Sequence, residues 1–207
     1  MKTTYFDKVS AHVRSLHTRV CSHESLLAFR VHTARENAIT WPSAEFEAAW
    51  KRLSRYLQRI CDRALGIVVG DDGSLHRNTA EDFSVQYAMY YPNFTGEEGF
   101  SSTDSLKFDK TTKLPNPNVG EHIDPSLFVA EPCANARGLE VWDTHAQRWV
   151  CVEDYCNHAE DIVLFCGKAL SKQSNGEIPG TLHRVFREQQ RRIACIFEQK
   201  YEMYYWG

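Results

Sequence analysis

The spacing of apolar residues near the start of the chain predicts one long amphipathic helix. Over residues 43–65 they recur at intervals of three and four, which is the period of a helix with one buried face. Pro42 and Ser43 are typical of a helix start, and Gly66 is typical of a helix end. An apolar stripe of this kind needs a flat partner, and a β-sheet is the partner that we expect.

Beyond residue 73 the pattern changes to short apolar or alternating runs, separated by clusters of Gly, Pro, Asn and Asp. Strands spaced in this way are typical of a sandwich or barrel, and not of alternating strands and helices. The segment over residues 25–36 has a weaker helical pattern, so we expect a helix or a loosely docked segment there. The predicted strands cover residues 83–91, 105–108, 121–130, 138–142, 149–152, 162–165, 180–187 and 192–197.

Length and composition favour one domain over residues 1–207. A chain of 207 residues with 43% hydrophobic content can bury one sizeable core but is short for two. Within that domain we expect residues 1–66 to form a helical N-terminal support. Residues 67–200 would form the β core, and residues 201–207 would form an aromatic tail that docks or lies at an interface.

Charge and cysteine content exclude some classes of function. The net charge is −3, and no basic stripe is present, so we expect no nucleic-acid partner. No apolar run is long enough to span a membrane, and no hydrophobic leader follows Met1. The 7 cysteines include no CxxC pair, which is typical of reduced thiols in a cytoplasmic protein.

The candidate chemistry starts with His122 and Asp124. Residues two apart on a strand point to the same face, so this pair would offer an imidazole nitrogen and a carboxylate oxygen to one metal ion. We take the third ligand from His183, because a barrel can return a distant strand to the side of the first. Two His and one carboxylate on one side of an ion are the arrangement that suits Fe(II) with open positions. A bare His-x-Asp is a weak signal, and its weight here comes from the order of the motifs around it.

Several ordered motifs resemble those of the isopenicillin N synthase-like branch of the Fe(II)/2-oxoglutarate oxygenases. The similarity covers roughly residues 84–198, over half of the chain, and the motifs together are far more specific than any one of them. They are YYP at residues 90–92, GEHIDPSL at 120–127, GLEV at 138–141, WV at 149–150, SNG at 174–176, TLHRV at 181–185 and RIA at 192–194.

The resemblance implies a fold, a set of ligands and a reaction. The fold is mainly β with flanking helices: a double-stranded β-helix, or cupin-like jelly roll, with the long N-terminal helix packed on it. His122, Asp124 and His183 would bind Fe(II), with no catalytic residue beyond these ligands. Arg192 would hold the distal carboxylate of the co-substrate 2-oxoglutarate, since a planar guanidinium matches a carboxylate in two-point contact. Tyr91 would donate its hydroxyl to the same molecule.

With O2 as oxidant and ascorbate as a reductant, such an enzyme hydroxylates or desaturates a small organic substrate and releases succinate and CO2. The protein contributes placement and a dry pocket.

The chain departs from the family pattern at four places. Ala194 stands where a Ser is usual, Met89 where an Asn is usual, and Lys168 where an Asp is usual. A hydrogen bond to a charged group contributes about 1.5–3 kcal/mol, so the missing Ser hydroxyl predicts weaker co-substrate binding. The region before the core is also shorter than in family members, which predicts a more open site.

Three alternatives remain open from the sequence. The chain is a non-catalytic jelly roll kept as a binding or scaffold module, with a homodimer formed through its aromatic tail. Or it is an iron oxidase that does not use 2-oxoglutarate, in which Arg192 binds substrate instead. Separately, Cys151, Cys156 and His158, with Cys133 upstream, have some of the residue types of a zinc site but lack the spacing of a complete one.

Overall fold

The fold is taken from a computed structural model that describes residues 27–69, 82–93, 117–157 and 160–201. The strand predicted at residues 105–108 and residues 202–207 of the aromatic tail lie outside these ranges. Among the described residues, no helix is long and apolar enough to cross a membrane.

In the part of the chain that the structure describes, nine strands form two antiparallel sheets. The larger sheet has the order β1-β2-β9-β4-β7, and the smaller sheet has the order β3-β8-β5-β6. The strands are β1 (Leu27–His32), β2 (Val85–Tyr91), β3 (Val119–His122), β4 (Phe128–Pro132), β5 (Leu139–Asp143), β6 (Arg148–Cys151), β7 (Ile162–Cys166), β8 (His183–Val185) and β9 (Arg192–Glu198).

The chain crosses repeatedly between the two sheets, which is the connectivity of a jelly roll. From β2 to β5 each strand lies in the other sheet from the one before it, and the same is true from β6 to β9. Strands distant in sequence therefore become neighbours, as β9 does when it pairs with both β2 and β4. The predicted fold class, mainly β with a double-stranded β-helix core and flanking helices, is confirmed.

The long helix α1 (Ala44–Val69) covers the outer face of the larger sheet. Its buried residues Leu57, Cys61 and Leu65 pack in one cluster with Phe128 and Phe197. The Ser43 hydroxyl caps the first turn by accepting a hydrogen bond from the backbone nitrogen of Phe46 at 3.2 Å. The interpretation of this helix as structural support is consistent with that packing.

The predicted helix end at Gly66 is wrong, because α1 continues through this residue to Val69. A glycine inside a helix costs only about 1 kcal/mol relative to alanine. Residues 67–69 are apolar and contain no proline, so no helix-breaking residue interrupts α1 between Gly66 and Val69. The added turn is exposed, with Ile67 76% accessible to solvent.

The helix expected at residues 25–36 is also wrong, and part of the predicted helical support is an edge strand of the larger sheet. Strand β1 pairs antiparallel with β2, and a 3-10 helix over Thr33–Ala38 follows it. Phe29 and Val31 alternate with residues on the other face, and both are buried against Phe46 and Trp50 of α1. Alternation with a period of two is typical of a strand. It was missed because the helix was expected from four apolar positions spread over the twelve residues 25–36.

The run predicted as one strand over residues 121–130 is two strands in different sheets. β3 ends at His122 and β4 begins at Phe128, so the chain crosses between the sheets at residues 123–127. Pro125, which cannot donate to a ladder, lies within this crossover. A short helix, α2 (Lys168–Gln173), follows β7 and was not predicted. These two connections border the residues of greatest chemical interest.

Truncating Leu57 tests the packing of α1 on the sheet. Leu57 is fully buried, and we expect Leu57→Ala to lower the free energy of unfolding by about 2–5 kcal/mol because it leaves a cavity. The exposed Ile67 of the same helix is the matched control, and Ile67→Ala should change stability by no more than about 0.5 kcal/mol. Urea denaturation followed by circular dichroism measures both. Equal effects of the two substitutions would contradict the packing described for α1.

Candidate metal centre

His122, Asp124 and His183 converge between the two sheets. One ligand atom from each lies within 4.8 Å of the others. The Nε2 atom of His122 is 3.4 Å from one Asp124 oxygen, and the Nε2 atom of His183 is 3.3 Å from the other. Neighbouring ligands on a first-row metal ion, each about 2.1 Å from it, lie at about this separation. The donor set and its spacing therefore fit a divalent metal ion.

The pairing of β3 with β8 brings the two histidines together. His122 is the register partner of His183, and their ring centroids are 4.2 Å apart. The ladder is irregular between His122 and Val119, which pairs with Val185, so β3 has one more residue than β8 in this interval. Such a bulge bends a strand and re-aims its side chains. We expected the alternation of side chains along one strand to place Asp124 beside His122. Asp124 instead lies beyond the end of β3, and the crossover that follows the strand places it there.

Both imidazole rings are fixed by the backbone. The Nδ1 atom of His122 is 2.8 Å from the carbonyl oxygen of Gly120, and that of His183 is 3.0 Å from the carbonyl of Thr181. A carbonyl oxygen only accepts, so each Nδ1 carries a hydrogen, and each Nε2 is the nitrogen left to bind a metal. Such hydrogen bonds orient the ligands of protein metal sites.

The electrostatics keep Asp124 ionised. Burial opposes its charge, but the close contacts with His122 and His183 hold the pKa of this carboxyl well below its usual range. The same contact with Asp124 raises the pKa of His122. The centre thus has one fixed negative charge between two imidazoles.

The three side chains differ in their access to solvent. His183 is 5% exposed and Asp124 13%, whereas the His122 side chain is 38% exposed. Phe165 closes the inner side, with its ring centroid 4.8 Å from that of His183. Small molecules can therefore reach the centre from the side of His122.

A close backbone approach supports the crossover that carries Asp124. The backbone nitrogen of Lys168 donates to the Asp124 carbonyl at 2.7 Å. At the preceding position, a Cβ on Gly167 would overlap the Ser126 carbonyl oxygen, so only glycine fits there. Lys168 thus acts on the site through its backbone, which a different side chain at this position leaves unchanged.

Arg192 and Tyr91 are register partners at one end of the interior. Arg192 begins β9, Tyr91 ends β2, and the Arg192 guanidinium lies 5.4 Å from the Tyr91 ring centroid. Arg192 is 1% exposed. The Tyr91 hydroxyl donates to the sulfur of Met89 at 3.5 Å, and burial raises the pKa of this tyrosine. Ala194 lies on the same face of β9 as Arg192, two residues on.

Two glutamates contact Arg192, and sequence reasoning missed both. Nη2 of Arg192 donates to Glu153 at 2.9 Å and to Glu131 at 3.4 Å, and its Nε also donates to Glu153. Glu131 interrupts the apolar run of β4, and an acid in such a run is the signal that could have found it. Glu153 lies in a 3-10 helix over Val152–Tyr155, where the sequence gives no comparable signal.

The zinc alternative receives no support from the described residues. There the only group of three or more potential ligands is His122, Asp124 and His183. Cys133, Cys151 and Cys156 form no disulfide bond among the described residues, and His158 lies outside them.

Comparisons with known proteins were made for sequence families, curated sequences and solved structures. No family model and no curated protein matches the chain. The solved structures that match include the dioxygenase for auxin oxidation of rice, with 19% identity, a TM-score of 0.61 and coverage of 92% of this chain and 67% of that one. JOX2 in complex with 2OG, Fe and JA matches with 14% identity, a TM-score of 0.64 and coverage of 86% and 50%.

A full-length protein of Neurospora crassa in complex with alpha-KG matches with 15% identity, a TM-score of 0.61 and coverage of 87% of this chain and 56% of that one. The chain thus spans between half and two thirds of the length of these proteins. At these identities the likeness is one of fold. The resemblance expected from the sequence is confirmed at that level: this chain has the jelly-roll fold of the Fe(II)/2-oxoglutarate oxygenases.

Proposed function

We propose that this chain is an iron(II)- and 2-oxoglutarate-dependent dioxygenase that hydroxylates or desaturates a small organic molecule. The observation that carries the proposal is the convergence of His122, Asp124 and His183 inside a jelly roll. In this proposal these three side chains bind the iron ion and need no further catalytic residue. Two imidazoles and one carboxylate on one side of Fe(II) leave positions for other ligands.

When bound, iron(II) and 2-oxoglutarate together supply the reduction of O2, with release of succinate and CO2 and oxidation of the substrate. The chain supplies binding and exclusion of water. Val129, Leu139 and Phe165 form a buried apolar cluster, against which Ile196 packs, and the Phe165 ring touches the His183 side of the centre. An apolar wall at this place keeps water from the inner side of the metal.

Arg192 and Tyr91 are the proposed co-substrate residues. The guanidinium of Arg192 would hold the distal carboxylate, and the hydroxyl of Tyr91 would donate to the same group after leaving the Met89 sulfur. One Arg192 nitrogen, Nη1, is buried and has no hydrogen-bond partner in the part of the chain that the structure describes. A buried donor in this condition costs about 1–3 kcal/mol, and an incoming carboxylate oxygen would remove that penalty.

Two solved neighbours support the proposal of a small organic substrate. JOX2 was crystallised with JA, and the Neurospora crassa protein was crystallised with thymine, both small molecules. The six described cysteines form no disulfide bond, which supports a reducing compartment, and we propose that the protein is cytoplasmic.

One observation favours the second candidate, an iron oxidase that does not use 2-oxoglutarate. Glu153 and Glu131 already contact Arg192, and Ala194 offers no hydroxyl beside it. Titrating 2-oxoglutarate into the Fe(II)-loaded protein without oxygen separates the two candidates. A metal-to-ligand charge-transfer band that grows with the 2-oxoglutarate concentration supports the dioxygenase. The absence of this band at the highest 2-oxoglutarate concentration supports the oxidase.

Removing a proposed ligand should abolish metal binding. We expect the wild-type protein to bind one Fe(II) and His183→Ala to bind it at least about a hundredfold more weakly, because two donors remain. His145, exposed in the turn between β5 and β6, is the control, and His145→Ala should bind iron as the wild type does. Anaerobic equilibrium dialysis with metal analysis measures both. Equal iron binding by the two variants would rule out His183 as a ligand.

The proposed reaction predicts succinate. The wild-type protein with Fe(II), O2 and 2-oxoglutarate should form succinate slowly without substrate and faster with it. Asp124→Ala should reduce this rate to background, since the only carboxylate ligand is lost. Asp154→Ala is the control, because Asp154 is in an exposed ion pair with Arg137. A wild-type protein that binds iron yet forms no succinate, with a panel of small organic acids and bases present, would contradict the proposal.

Arg192 and its neighbour Arg191 give a matched pair for the co-substrate. Arg192→Lys keeps the charge but loses the planar fork, so we expect the KM for 2-oxoglutarate to rise roughly threefold to tenfold with a smaller change in kcat. Arg191→Lys should leave the KM within twofold. Thermal unfolding confirms that both variants are folded. A rise in KM for Arg191→Lys alone would transfer the role to that residue.

A further inference from the structure

A buried cluster of one arginine and two glutamates borders the same interior, between the two sheets, as the metal centre. Val129 and Glu131 are two apart on β4 and so share a face, and Val129 packs with Phe165, whose ring touches His183. Arg192 and Ile196 share a face of β9, and Ile196 packs against the same cluster. The face of β4 that carries Glu131 is therefore turned toward the interior where the candidate metal ligands converge.

Glu153 is the fixed member of the cluster. Its carboxylate accepts hydrogen bonds from the backbone nitrogens of Gly138 and Leu139, each at 3.2 Å, and from the Cys151 thiol at 3.3 Å. It also accepts from Arg192 Nη2 at 2.9 Å. A Cβ at Gly138 would lie 2.6 Å from the Arg192 Cδ, so the arginine stem runs against bare backbone here. Glu153 is thus held in place by the main chain and is the closer of the two carboxylate partners of Arg192.

Glu131 is a second carboxylate partner of Arg192, which Glu153 already contacts. Its contact with Arg192 Nη2 is longer, at 3.4 Å, and it is 2% exposed. Burial raises the pKa of Glu131 to about 7; the attraction of Arg192 opposes this rise, and the repulsion of Glu153 adds to it. One guanidinium therefore faces two acids, and a third carboxylate at its free Nη1 would enter a region with excess negative charge.

We propose that Glu131 is a specificity-determining residue that weakens binding of the co-substrate's distal carboxylate at Arg192. Glu131 thereby reduces the ratio by which the protein binds a 2-oxo acid with a distal carboxylate more tightly than a 2-oxo acid with an uncharged distal end. This inference rests on the proposed function, because it concerns the same co-substrate position. Glu131 does not touch the reacting atoms and acts through its charge on Arg192.

The test compares two ligands in three proteins. The ligands are 2-oxoglutarate and 2-oxohexanoate, which has the same 2-oxo acid end and no distal carboxylate. The proteins are the wild type, Glu131→Gln and the control Glu140→Gln, which removes a carboxylate paired with Arg184 at 2.6 Å on β5. Dissociation constants are measured without oxygen at pH 8 on Mn(II)-loaded protein by calorimetry, so that no turnover is needed.

We expect Glu131→Gln to lower the dissociation constant of 2-oxoglutarate roughly tenfold to a hundredfold, as loss of one charge does at an interior dielectric of about 20. The constant for 2-oxohexanoate should stay within threefold, and Glu140→Gln should change neither. An unchanged constant for 2-oxoglutarate, or an equal gain for both ligands, overturns the role of Glu131 and leaves the proposed function standing. No binding of 2-oxoglutarate to any of the three metal-loaded proteins overturns the proposed function as well.

The wild type provides a measurement that does not depend on folding of the variant. An arginine with no competing acid would favour 2-oxoglutarate over 2-oxohexanoate by roughly tenfold to a hundredfold or more, the value of a charge-assisted hydrogen bond. We expect the wild-type preference to be below tenfold, because Glu131 offsets it. A wild-type preference above a hundredfold overturns the inference, whatever the behaviour of Glu131→Gln.

Discussion

The pairing of β3 with β8 is the constraint on which the rest of the site depends. It joins two strands from distant parts of the chain, and its register sets His122 opposite His183. A shift of one residue would turn one imidazole to the other face of the sheet, because side chains alternate along a strand. The jelly-roll connectivity makes the pairing possible, since it returns the chain to the smaller sheet after β7. The chain then needs to continue only two residues past the end of β3 to place Asp124 beside the two histidines.

The interior contains two polar groups beside an apolar cluster. In one of them Asp124 lies between two imidazoles; in the other Arg192 contacts two carboxylates. Val129, Leu139 and Phe165 form the apolar cluster. Buried charges are tolerated only when they are paired, and both groups satisfy that rule. The pairing also explains how Arg192, almost without solvent contact, remains charged: Glu131 and Glu153 outweigh the effect of burial and raise its pKa.

The sequence was informative where the pattern was local and long. The amphipathic period over residues 43–65 predicted α1, and the order of the motifs predicted the fold and brought His122, Asp124 and His183 together as candidates. Shorter signals failed. β1 was taken for a helix because the alternation of Phe29 and Val31 extends over too few residues to outweigh the apolar positions around them.

The contacts of Arg192 were beyond sequence reasoning for a different reason. Glu131 and Glu153 are 61 and 39 residues away from it along the chain, so the pairing becomes visible only when the sheets have closed. Gly66 was similarly misjudged, because whether a glycine ends a helix depends on what the following residues offer. In both cases the structure depends on residues other than those in the local sequence pattern on which the prediction was based.

The attachment of both imidazoles to main-chain carbonyls has a consequence for how such a protein diversifies. The aim of the two ring nitrogens is set by Gly120 and Thr181 through backbone atoms, which remain when side chains change. Mutations that reshape the surrounding walls can alter which molecule fits without redirecting the rings. Substrate selectivity can therefore change during evolution while the orientation of the two imidazole rings stays the same.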